Sequence, residues 1–148
     1  MEWLWKHKLL LVLGILAVVY WFYNPAGRFG IVRNGFVVYN RIPVCFFDCY
    51  IDPVGKLHLQ GDLTKKENIN YWFETHLSSR PPAQGSSIPL IIGTGMDDST
   101  GFSPSFSLLH KCRNRHFEPK IMSSRAAIER FNSLREQEQS CALLLKVQ

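Results

Sequence analysis

Ile88-Pro89-Leu90-Ile91-Ile92-Gly93-Thr94-Gly95 is the stretch whose reading decides the fold. Ile88 to Ile92 are apolar without interruption, and a glycine-threonine-glycine turn follows. A short unbroken apolar run bounded by turn residues suits a strand buried on both faces, and such strands lie in sheets covered by helices. Downstream, Ser103 and Pro104 read as the cap and first residue of a helix whose inner stripe is Leu108, Leu109 and Cys112. Residues 117–122 read as a strand, with Pro119 at an edge. Ser124 reads as the cap of a helix with Ala127, Ile128, Phe131 and Leu134 inward, and 141–147 as a closing strand. Strand, helix, strand, helix, strand is the pattern of an α/β layered sheet.

Upstream, 35–39, 44–51 and 56–60 read as three strands of an antiparallel meander. Asp52-Pro53-Val54-Gly55 supplies one tight turn. Thr64 to Glu67 has the spacing of a capping box, so a helix is expected there. Ile69, Trp72, Phe73, His76 and Leu77 share its inner face, where His76 reads as packing rather than as a base. Residues 78–87 read as a loop. The expected class is therefore α/β: a three-layer sandwich with a mixed central sheet and an antiparallel meander.

One transmembrane helix is expected ahead of this domain. Leu9 to Tyr23 (LLLVLGILAVVYWFY) carries no charge, and Trp3 and Trp5 extend its apolar character. Lys6 and Lys8 at one end, with Trp3, Trp5, Tyr20, Trp21 and Tyr23 at both, resemble the interfacial anchors of a bilayer span. A cleaved signal peptide is the rival reading, but bulky aromatics occupy the place of a small-residue cleavage site. Residues 1–33 are thus assigned to a membrane anchor and linker, and 34–148 to one small domain.

The net charge is +5, of which residues 1–33 carry +3 through Lys6, Lys8, Arg28 and Arg33 against Glu2. The domain keeps only +2, which does not suit a nucleic-acid binder. The expected location is a single-pass protein of a mitochondrial inner membrane or a bacterial plasma membrane. Arg28, Arg33 and Arg41 place the domain on the matrix or cytoplasmic side. Of the four cysteines, Cys45 and Cys49 are expected on one strand face, about 13 Å apart and too distant for a mutual disulfide. Four free thiols suit a reducing compartment. No zinc-ligand spacing is present, and no metal or cofactor is expected.

Gly93, Thr94, Gly95 and Met96 form the one candidate interaction or anion turn. A turn at the carboxyl end of a buried strand can offer backbone amides to an anion. Asp97 and Asp98 would repel it, and the third glycine of a dinucleotide fingerprint is missing. A purely geometric role for the glycines is the favoured reading. Cys112 with His110 or His116, and Cys49 with His58, carry no recognised nucleophile signature. No catalytic residue is assigned.

GFVVYNRIPV (35–44), DPVGKL (52–57), LIIGTGM (90–96), SSRAAIERFNSL (123–134) and SCALLL (140–145) occur in this order. The pattern resembles the small α/β domain family of the mitochondrial respiratory complex I assembly factor three proteins, with the adipogenesis-associated domain protein and small archaeal and bacterial relatives. It covers about Asn34 to Val147. Gly93–Met96 match the family's turn, and Ala127, Ile128, Phe131 and Asn132 its helix signature. Ser124 stands in the place of a threonine. The anchor, the loop 97–103 and His116-Phe117 depart from the pattern. The resemblance implies a mixed-sheet α/β sandwich without established enzymatic activity. The expected function is a membrane-anchored, non-catalytic assembly or accessory protein of a complex I-like respiratory membrane complex. Its expected partners are the lipid bilayer and other membrane-complex proteins, with no nucleic acid and no small-molecule ligand. The alternative is a small-molecule or anion-binding protein using Gly93–Met96.

Overall fold

The computed structural model describes residues 2–77, 87–96 and 102–147, with side chains from His7 onward. The loop read over 78–87 therefore falls almost wholly outside the described residues, as do Asp97 and Asp98.

Among the described residues eight strands form two sheets, accompanied by four α-helices. The first sheet joins β1 (Phe29–Arg33), β2 (Phe36–Tyr39) and β3 (Ile42–Cys45), all antiparallel. Asn40 and Arg41 both hold positive φ, 48° and 68°. That geometry makes the two-residue turn whose twist suits a hairpin. The second sheet contains β4 (Asp48–Ile51), β5 (Leu57–Gln60), β6 (Ile88–Gly93), β7 (Phe117–Met122) and β8 (Ala142–Leu145), in the order β5-β4-β8-β6-β7. β8 pairs antiparallel with β4 and parallel with β6, so the sheet is mixed. Among the described strands β7 pairs with β6 alone, and it accommodates Pro119 at that edge.

Alternation along these strands divides the interior into two cores. Cys49, Ile51, Ile91, Leu143 and Leu145 face one side, under the first sheet and α4 (Ser124–Glu136), with Phe131 and Tyr39 at the centre. Tyr50, Leu90, Ile92, Ala142 and Leu144 face the other, under α2 (Lys66–Trp72) and α3 (Phe106–Asn114). α2 runs into one π-helical turn, Phe73–Leu77, which carries Phe73 and Leu77 into the same core.

Several local expectations change. Val44–Ile51 is not one strand: Phe46, at φ 60°, breaks it into β3 and β4, which lie in different sheets. The three-strand meander 35–60 is therefore divided between the two sheets, and β1 lies inside the stretch read as linker. The capping box does not form. Lys65 holds the cap position of α2 without a side-chain bond, while the Thr64 hydroxyl donates to Asp62. α3 starts behind Ser105, whose hydroxyl accepts from the Leu108 amide, not behind Ser103. Ser123, not Ser124, caps α4.

The transmembrane helix is also corrected. Leu9–Tyr23 does lie within one continuous helix, α1 (Glu2–Tyr23). Yet no helix among the described residues is long and apolar enough to cross a membrane. The uncharged run reaches about 22 Å, against a hydrocarbon core of about 30 Å. Its basic residues stand at its start, and at its end Tyr20 and Trp21 both engage Arg41 of the domain. The single-pass location in a mitochondrial inner membrane or a bacterial plasma membrane rested on that span and falls with it.

Candidate functional site

Gly93–Met96 leaves β6 as expected, but the space around it is filled. A Cβ at Gly93 would stand 2.7 Å from Leu145 Cδ1 and 2.9 Å from Ser124 Oγ. The Thr94 amide and hydroxyl both donate to the Met122 carbonyl, at 3.0 and 3.2 Å. The Gly95 amide donates to Ser124 Oγ at 3.0 Å, and that hydroxyl donates onward to the Lys146 carbonyl at 2.6 Å. Gly95 holds φ 149°, outside the range a β-branched residue accepts. Met96 packs on the core beneath α4. With both amides bonded inside the protein, the turn presents no cradle for an anion. It welds β6 to the start of α4 and the end of β8.

Ser124 is thus a residue that sequence reasoning misassigned. It is fully buried and joins two backbone segments. Asn132 is a second. Its side chain accepts from the Phe29 amide and donates to the Phe29 carbonyl, both at 2.9 Å, so it fastens β1 to α4. Its place in a helix signature was visible; its partner, 103 positions away, was not.

The cysteine readings resolve by burial. All four thiols are free. Burial pushes Cys49 and Cys112 up to about 12 and Cys141 to about 11, so these thiols stay protonated. Cys49 opposes Leu59 and faces the α4 core, while His58 opposes Tyr50, so the two lie on opposite faces. His110 meets Asn114 on the exposed side of α3, away from buried Cys112.

His58 and His76 are brought together instead. Their ring centroids lie 4.4 Å apart, with Tyr50 packed against both. Asp52 stands 3.2 Å from His58 Nε2, and Gln60 the same distance from His76 Nε2. Burial, then the neighbouring His58, pushes His76 below the usual histidine value. Among the described residues no group of three or more His, Cys, Asp or Glu side chains could hold a metal.

Among the anchor residues, the side chains of Trp3, Trp5 and Lys6 lie outside the described ones. Lys8, Leu9, Tyr20, Trp21 and Tyr23 are exposed. Leu10, Leu13, Leu16, Val18 and Val19 are exposed too, so α1 is apolar around its circumference and uncovered. Its last turns hold the domain. The Tyr20 hydroxyl donates to the Arg41 carbonyl at 2.9 Å, and the Arg41 guanidinium lies 3.3 Å from the Trp21 ring centroid. Asn24, fully buried, donates to the Tyr20 carbonyl and accepts from the Ile31 amide. Any Cβ at Gly30 would strike Asn24 and the Tyr23 carbonyl, so glycine permits this close approach.

No protein-family model matches the chain, and no curated protein matches it. Solved structures share its fold. A Bordetella parapertussis protein superposes with a TM-score of 0.63 at 12% identity, covering 82% of this chain and 95% of that one. An outer membrane protein from Bartonella henselae gives 0.59 at 19%, covering 84% and 97%. A Xanthomonas campestris protein gives 0.54 at 17%, covering 80% and 83%. None of the three is described as a complex I assembly factor or by a respiratory or mitochondrial role. With the membrane span gone, the respiratory-chain and mitochondrial assignment has no support. At these identities the likeness shows the α/β fold alone.

Proposed function

We propose that the protein is a non-catalytic accessory protein that works by docking α1 into an apolar groove of a partner protein. The observation that carries this reading is the uncovered apolar circumference of a helix mounted firmly on a folded domain. Large exposed apolar surfaces mark interaction sites. An apolar helix entering a groove is a recurrent mode of recognition. The groove is expected to carry an acidic residue at the rim that meets the exposed Lys8. The filled turn at Gly93–Met96 and the protonated buried thiols favour a scaffold over an enzyme.

A photo-activated cross-linker at Leu16 of the full chain, in the cells that make it, tests the reading. The expected result is one discrete protein adduct that disappears in Leu13→Arg. Adducts to lipid alone, or a protein adduct indifferent to Leu13→Arg, would overturn it.

A further inference from the structure

A cleft of about 500 Å³ opens between α2 and α3, on the face of the sheet opposite α4. Pockets that hold small molecules span about 300–1,000 Å³ and combine an apolar lining with a few placed polar groups. This cleft has that composition. Its floor is Ile69, Phe73, Phe102 and Leu108, which also belong to the core beneath. Its rim carries hydroxyls from Thr64, Ser103 and Ser107, and two ammonium groups, Lys66 and Lys111. Among the described residues no aspartate or glutamate lines it. Among the described residues neither lysine has a carboxylate within ion-pair distance; the Lys111 ammonium instead lies 5.6 Å from the Phe73 ring centroid. A cation resting on an aromatic face beside an apolar hollow is placed for a ligand with both characters.

The geometry points to a binding site for a small amphipathic anion, a carboxylate or phosphate monoester on a short hydrocarbon chain. The head sits between Lys66 and Lys111 and accepts from the Ser103 and Ser107 hydroxyls, the Thr64 hydroxyl being committed to Asp62, while the chain lies on Phe73, Phe102 and Leu108. The site is separate from the filled Gly93–Met96 turn, although the Phe102 amide bonds the Thr94 carbonyl and so fixes one wall of the cleft to that turn. It is also independent of α1, so it stands or falls apart from the docking of that helix.

Titration calorimetry of the full chain with octanoate and octyl phosphate tests the assignment, with octanol, octylamine and inorganic phosphate as comparisons. Saturable binding of one anionic amphiphile per chain is expected, at least tenfold tighter than octanol or phosphate alone. Lys111→Glu is expected to weaken it at least tenfold, and Lys111→Arg to retain it. Because α1 is itself apolar, the titration is repeated with Leu13→Arg, which is expected to leave this binding unchanged. Unsaturable uptake, equal affinity for octylamine, insensitivity to Lys111→Glu, or loss in Leu13→Arg would each overturn the site. The folded state of every variant is checked by its thermal midpoint.

Discussion

Ser124 shows how one hydroxyl can hold three elements. Removing it leaves the buried Gly95 amide without an acceptor and the Lys146 carbonyl without a donor. Ser124→Ala is therefore expected to destabilise the fold by about 1–3 kcal/mol, read as a shift in the urea midpoint with unchanged slope. His76 offers a second residue-scale prediction. Its folded pKa is lowered by burial and by His58, so the folded state favours the neutral ring. The stability this gives is present above the unfolded value of about 6.5 and lost as pH falls through it. The urea midpoint should drop between about pH 7.5 and pH 5.5, and less steeply in His76→Gln. Equal slopes in the two proteins would remove His76 from the account. The sequence showed that a serine opens α4, but not which one. Ser123 and Ser124 are adjacent and chemically identical, and only the arrival of Gly95 and Lys146 from elsewhere separates cap from weld.

Elements defined by hydropathy were legible, because the run at Ile88–Ile92 and the stripe Ala127, Ile128, Phe131, Leu134 depend only on local spacing. The break at Phe46 was not. No glycine or proline marks it, and the positive φ there is imposed when β3 and β4 join different sheets. The capping box failed for a related reason: Asp62 competes successfully for the Thr64 amide and hydroxyl. The candidate turn was legible as geometry, whereas the cleft between α2 and α3 was not, since its walls come from segments far apart in the chain. α1 depends on Asn24 for its seating. Asn24→Ala leaves the Ile31 amide unpaired and frees the Tyr20 carbonyl. A loss of about 1–3 kcal/mol is expected, with faster proteolysis between α1 and β1 as the accompanying sign. Unchanged stability and cleavage would show that Arg41 and Tyr20 suffice to hold the helix.

At the scale of the molecule, Asp48 ties the start of β4 to two distant segments. It accepts from the Leu63 amide at 2.8 Å and the Val147 amide at 2.9 Å, with the buried Lys146 ammonium 4.0 Å away. Asp48→Ala orphans two amides and removes one of the carboxylates beside Lys146; Asp62, 3.4 Å from it, remains. The expected cost is on the order of 3 kcal/mol, larger than that of Asp48→Asn, and measurable by chemical denaturation. The position of β8 has a further consequence. Among the described strands it comes last, yet it lies between β4 and β6, pairing with both. Until β8 is made, β4–β5 and β6–β7 are two ribbons that share no strand pairing. The five-stranded sheet is therefore expected to close only once residues 142–145 are available to pair. Nascent chains stalled before that point are expected to be open to protease, and those released beyond it closed.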